Sequence, residues 1–144
     1  MKTIIISDLH NRVDWVEPML SSLEYDNVVF LGDYFDDFND THKDAEKSAS
    51  WLKQSLQKPN RIHLIGTHDL WYMFPKNSFI KASGNSSGKK KVINKILSKE
   101  DWELLLPFIY TQTYYITHAG LHPSFIVDNN VFGTLFTGTK NALD

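Results

Sequence analysis

The sequence predicts an α/β fold, and three observations carry that expectation. Short runs of β-branched and apolar residues recur at Ile4–Ile6, Asn27–Leu31 and Arg61–Ile65. Stretches with apolar residues at helical spacing separate them. Each run stops abruptly at a turn-forming residue, Ser7, Gly32 or Gly66. Apolar runs this short suit strands buried on both faces of a sheet covered by helices. The stretches between them are long enough to be crossovers between parallel strands. With 144 residues, 42% of them hydrophobic, the chain is expected to fold as one domain over residues 1–144 around a packed core.

The first strand is Ile4–Ile6, ended by Ser7-Asp8. Asp14 and Glu17 have the spacing of a capping box, Pro18 falls in a first helical turn, and Val13, Val16, Leu20 and Leu23 share one helical face. Asn27–Leu31 is the second strand. The second helix is expected to start near Thr41, to bury Ala45, Ala49, Leu52 and Leu56, and to stop before Pro59. Arg61–Ile65 is the third strand. Ser83–Lys91, the one low-complexity stretch, reads as an exposed loop whose three lysines are solvated. Val92–Leu97 and a segment from Ser98 to Pro107 read as helical, and Phe108–Thr111 and Thr113–Thr117 as two adjacent strands.

Composition excludes several classes of function. Fifteen basic against seventeen acidic residues leave a formal charge of −2, which gives no electrostatic footprint for nucleic acid or an acidic membrane. The absence of cysteine removes disulfides, thiolate nucleophiles and cysteine-ligated metals. The longest apolar stretch, Leu104–Tyr110, is interrupted by Pro107 and falls far short of a membrane span. The opening Met1–Ile6 has the look of a signal peptide but is cut off by Asp8 and His10. The expected setting is cytoplasmic, with no membrane partner.

Chemistry collects at the strand ends, where ligands bind in open α/β sheets. The first strand runs into Asp8-Leu9-His10, the second into Gly32-Asp33-Tyr34-Phe35-Asp36, the third into Gly66-Thr67-His68-Asp69, and Tyr114–Thr117 into His118-Ala119-Gly120. Asp8, His10, Asp33, His68 and His118 are carboxylates or imidazoles, the donors that manganese, iron and zinc prefer. His63, inside a strand, and His42, near a helix start, are assigned to structure.

These four segments, in this order, resemble the motifs of calcineurin-like metallophosphoesterases, with Gly32–Asp36 and His118–Pro123 closest to the phosphoprotein-phosphatase branch. The resemblance implies a four-layer α/β/β/α sandwich with two divalent metal ions, manganese favoured over iron, zinc or magnesium, between its sheets. It implies Asp8 and His10 on the first metal, Asp33 bridging both and His118 on the second. His68 matches the catalytic histidine, with Asp36 orienting its ring and holding it protonated. The implied activity is metal-dependent hydrolysis of a phosphate ester by a metal-activated hydroxide, with His68 as general acid.

The sequence also departs from that pattern. Thr67 stands where the family carries an Asn whose amide oxygen binds the second metal, and no histidine follows His122. Asp37-Phe38 replaces the Arg-Gly that grips phosphate. Of the two arginines, Arg12 and Arg61, Arg12 lies near enough the first motif to reach phosphate, or else is solvated. These departures predict a weakened second metal site and impaired turnover. The alternative is a degenerate, non-catalytic metal- or protein-binding domain of the same fold. A metal-free nucleotide-binding module finds no Gly-rich phosphate loop to support it. A C-terminally shortened second sheet, with only Asn129–Phe136 left to extend it, predicts an apolar patch near Tyr114, Tyr115, Phe132 and Phe136 and self-association through it.

Overall fold

Strands β1 (Thr3–Ile6), β2 (Asn27–Phe30) and β3 (Arg61–His63) form a parallel sheet with β2 in the middle, in the computed structural model, which describes residues 1–110 and 114–120. Burial on both faces holds for β2, where Val28, Val29 and Phe30 are inaccessible to solvent. It does not hold for β1, which has one neighbour among the described strands and leaves Ile5 about half exposed.

The helices lie between and after the strands. Helix α1 (Val16–Ser21) has Trp15 at its cap position and no side-chain cap, so the expected Asp14–Glu17 capping box does not form. The Glu17 carboxylate instead takes both guanidinium nitrogens of Arg61, at 2.6 and 2.8 Å, with Lys58 and the Trp51 indole beside them. The bidentate pair gives Glu17 two bonds between opposite charges where the capping box offers one from a neutral amide, and it wins. Val13, Val16 and Leu20 are buried as expected, whereas Leu23 is exposed. Helix α2 (His42–Leu56) starts from a complete Thr41–Asp44 capping box and buries Ala45, Ala49 and Leu52.

After β3 come α3 (Leu70–Met73), a single 3₁₀ turn at Ser78–Ile80, α4 (Ser87–Ile96) and α5 (Lys99–Glu103). Ser98 and Asp101 cap α5 reciprocally. The exposed loop expected over Ser83–Lys91 is corrected here. Ser86 caps α4 through the Lys89 amide, so half of that stretch is helix, and both Asn85 and Lys89 are buried. The hairpin of β4 (Phe108–Tyr110) and β5 (Tyr115–Thr117) is antiparallel, as the sequence predicts. Thr111 and Thr113 lie outside the described residues, as do His122, Asn129–Phe136 and with them Phe132 and Phe136. Tyr114 and Tyr115 are exposed, with the Tyr115 ring against Tyr110.

The side-chain alternation of β2 divides the core. Val28 and Phe30 point into the larger cluster, with Leu20, Tyr34, Ala49, Leu52, Tyr72, Ile93 and Trp102 from the helical side. Val29 points the other way, to Leu64 and Ile109, and a parallel bridge between Leu64 and Leu106 ties β3 to the hairpin's approach. Each fully buried large side chain contributes about 1.5–3 kcal/mol, so β2 is anchored from both faces and its C-terminal turn is held rigidly. His63 sits in this core as the sequence reading expects, bonded to Tyr34 Oη and Ser55 Oγ, each at 3.0 Å. Burial pushes its pKa down to about 3, so it stays neutral. No helix among the described residues is long and apolar enough to cross a membrane.

Candidate functional site

The turns after β1 and β2 are laced together by backbone bonds. The Leu9 and His10 amides donate to the Asp33 carbonyl at 3.0 and 2.9 Å, and the Asn11 amide donates to that of Tyr34 at 2.9 Å. These turns hold His10, Asn11, Asp33 and Asp36 at positive φ, between 42° and 68°. A left-handed conformation in a non-glycine residue costs on the order of 1–3 kcal/mol, so the surroundings must hold it in place. Gly32 and Gly66 pack backbone against backbone, and a Cβ on either would collide with the other turn.

Asp69 locks this arrangement, and the sequence reading gave it no role. Its carboxylate is fully buried and accepts the amides of Asp33, Tyr34 and Gly66 at 2.8, 2.9 and 2.9 Å. Burial pushes its pKa up to about 7, against the lowering effect of the three amide donors. A carboxylate closing the third motif, directly after His68 and at the foot of an unexpected short helix, was the available signal.

Asp33 is 4% exposed and faces imidazoles. His118 Nε2 lies 3.4 Å and His10 Nε2 3.9 Å from Asp33 Oδ2. In each of these rings Nδ1 is occupied by a backbone carbonyl, Leu31 for His118 and Phe35 for His10, both at 3.1 Å. A carbonyl only accepts, so Nδ1 carries a proton, and in the Nδ1–H tautomer the Nε2 lone pair points toward Asp33. Asp8, Asp33 and His118 form one group whose ligand atoms all lie within 4.8 Å of one another. The resemblance pairs Asp8 with His10; the compact group pairs it with His118, whose Nδ1 lies 3.7 Å from Asp8 Oδ1, and His10 approaches the same Asp33 oxygen as His118 from outside that group. Thr67 Oγ1 sits among them, 3.4 Å from each Asp33 oxygen and 3.5 Å from His118 Nε2. Among the described residues no lysine or arginine pairs with Asp33. Two oriented lone pairs and two carboxylates without a protein cation are a donor set that fits a divalent metal ion.

His68 joins this half of the site to the next. Its backbone amide donates to Asp33 Oδ1 at 2.8 Å, its ring meets that of His10 edge-on at 5.1 Å, and its Nδ1 lies 3.5 Å from Asp36 Oδ2. That nitrogen is buried and has no hydrogen-bond partner among the described residues. Asp36 has others: Lys89 Nζ and Tyr72 Oη each reach its Oδ1 at 2.7 Å, and Asn85 Nδ2 donates to its Oδ2. None of these three came from the sequence reading. Lys89 lies four residues before the buried Ile93, on the same helical face, and that spacing was the sign that it points inward. Arg12 is neither free nor simply solvated: it forms a bidentate pair with Asp37, at 2.7 and 2.9 Å.

A family model for calcineurin-like phosphoesterases matches residues 1–141. No curated protein and no solved structure matches the chain.

Proposed function

Because the chain belongs to the calcineurin-like phosphoesterase family, we propose that it hydrolyses a phosphate ester with divalent metal ions held around Asp33. The observation that carries this reading is the pair of Nε2 atoms, on His10 and His118, turned toward a buried carboxylate with which no lysine or arginine among the described residues pairs. Asp8, His10, Asp33 and His118 would hold these ions, with Asp33 at the centre of the group and both imidazole Nε2 atoms turned toward it. Bound divalent ions, manganese favoured, supply Lewis acidity for the phosphoryl oxygens and lower the pKa of a coordinated water.

The remaining work falls to the chain's own groups. His68 faces Asp36 through Nδ1, which leaves Nε2 to hand a proton to the departing alkoxide. Asp36 sets the ring's orientation. Asp69 keeps the Asp33 and His68 turns at fixed separation. The phosphorylated substrate is the expected partner. The three-stranded sheet and the hairpin are read as the inner layers of the family's four-layer sandwich.

One observation favours a second reading, a non-catalytic domain of the same fold. Thr67 places a neutral hydroxyl on a short side chain against Asp33, so a second cation is held less well. The test is metal content of protein purified without chelator, paired with turnover of an aryl phosphate and an aryl phosphodiester in manganese. At least one bound equivalent and turnover of one ester is the expected result. Metal-loaded protein inert toward both leaves a non-catalytic metal-binding domain, and metal-free inert protein removes the hydrolase and leaves a protein-binding domain of the same fold.

A further inference from the structure

Asp36 is surrounded on every side. Its backbone is at φ 68°, and Gly84, itself at φ 86°, comes so close that an added Cβ would lie 3.0 Å from Asp36 Cβ. Lys89 Nζ and Tyr72 Oη occupy Oδ1, and Asn85 Nδ2 occupies Oδ2 while also donating to the His68 carbonyl at 3.0 Å. One amide thus fixes the His68 backbone to the carboxylate that faces its ring. Lys89 extends the grip: its ammonium, 5% exposed, bonds both Asp40 oxygens at 2.7 Å, and Asp40 in turn accepts from Asn11, the residue after His10.

Two carboxylates on one buried ammonium leave this cluster with a net charge of −1. All of the strong partners of Asp36 come from outside its own turn, and Asn85 and Lys89 come from a stretch that reads as solvated loop. We propose that Asn85 and Lys89 are positioning residues for the proton-donating half of the site, holding the Asp36 carboxylate with Oδ2 toward His68 so that His68 Nε2 faces the leaving group. This rests on the hydrolase reading above and adds residues to it. With Oδ1 filled by Lys89 and Tyr72, the carboxylate has one remaining direction in which to meet the ring. Without Lys89 only Tyr72 would hold Oδ1, and without Asn85 the ring's backbone would no longer be tied to the carboxylate.

The chemistry provides a readout that simple destabilisation does not share. A departing alkyl alkoxide is a poor leaving group and needs the proton, whereas nitrophenolate leaves nearly as well without it. The test compares an alkyl phosphate with nitrophenyl phosphate in manganese. It uses wild type, Asn85→Ala, and Lys89→Met combined with Asp40→Asn. That double variant keeps the cluster at a net charge of −1, so the fold is not left with a second uncompensated carboxylate. The expected result is a fall in kcat on the alkyl ester about tenfold greater than on the nitrophenyl ester, with KM and bound metal held within twofold. The His68 imidazole resonance should shift in both variants. Equal losses on the two esters, or a His68 resonance that does not move, would overturn the proposal. Wild type that hydrolyses neither ester removes the hydrolase reading instead, and the His68 resonance then decides the positioning role by itself.

Discussion

Asp33 and Asp36 lie three residues apart on one turn, are 4% and 6% exposed, and share a left-handed backbone, yet their surroundings differ in kind. Asp36 is completed by the protein: a lysine, a tyrosine and an asparagine fill its lone pairs. Asp33 has the His68 backbone amide from the neighbouring turn, a weakly placed threonine hydroxyl and two imidazole Nε2 atoms at 3.4 and 3.9 Å. A buried carboxylate without a cation is costly. The contrast separates a carboxylate held by the chain's own side chains from one with which no lysine or arginine among the described residues pairs. Burial, charge and motif membership are the same for both; only the neighbours tell them apart.

The largest expected effect divides the two halves through His68. His68→Ala removes the ring that faces Asp36 and keeps the backbone amide that serves Asp33. Turnover should fall by about 10²–10⁴, the usual span for a general acid, while metal binding is largely kept. Loss of metal, with no change in rate for the fraction still loaded, would make His68 a ligand and dissolve the division. Next comes Asp69, on which both turns depend. Asp69→Asn puts an amide hydrogen against at least one of three buried N–H donors, each worth about 1–3 kcal/mol when left unpaired. A loss of about 2–4 kcal/mol in urea unfolding is expected, and a loss under 0.5 kcal/mol would show that the turns hold without it.

Thr67→Asn sharpens the Asp33 side alone. An amide oxygen there would add a ligand for the second cation, a gain of about 1–3 kcal/mol, or roughly tenfold to a hundredfold in affinity. Manganese titration following bound metal and turnover together is the measurement. Flat affinity and rate would favour the non-catalytic domain.

The smallest effect lies at the surface, where Glu17 is paired with Arg61 much as Asp36 is with Lys89, but in water. The Arg61 hydrogen bonds lower the Glu17 pKa from 4.5 to about 2. A folded pKa below the unfolded one means that the pair stabilises the fold above pH 4.5 and that this contribution is lost as pH falls toward 2. The Glu17 side chain is 43% exposed, so solvent screens the pair and the effect is modest. The melting-temperature difference between wild type and Glu17→Gln should close across that interval, and a difference constant with pH would show that the pair does not act through charge.

This pattern of effects also marks how far the sequence could be read. The three parallel strands and the Thr41 cap were legible because their signals are local: β-branched runs, a capping box, glycine stops. Asp8, His10, Asp33, His68 and His118 were legible because each follows a strand. Local spacing misled at Asp14–Glu17, where a distant Arg61 offered a stronger partner than the helix terminus. It misled again at Ser83–Lys91, where a lysine-rich composition concealed two buried residues. Lys89, Asn85, Tyr72 and Asp40 converge on Asp36 from separate segments, and no property of any one segment announces such a meeting.

The most direct test of the contrast is a manganese titration of chelator-treated protein, following bound metal and melting temperature together in wild type, Asp33→Asn and Asp36→Asn. Wild type and Asp36→Asn should take up metal and melt at temperatures that rise with its concentration, by up to about 2.7 kcal/mol of added stability at a hundredfold excess over Kd. Asp33→Asn should take up none and should not respond. Equal uptake by Asp33→Asn and wild type would contradict the account, because the carboxylate without a protein cation would then not be the one that holds the metal.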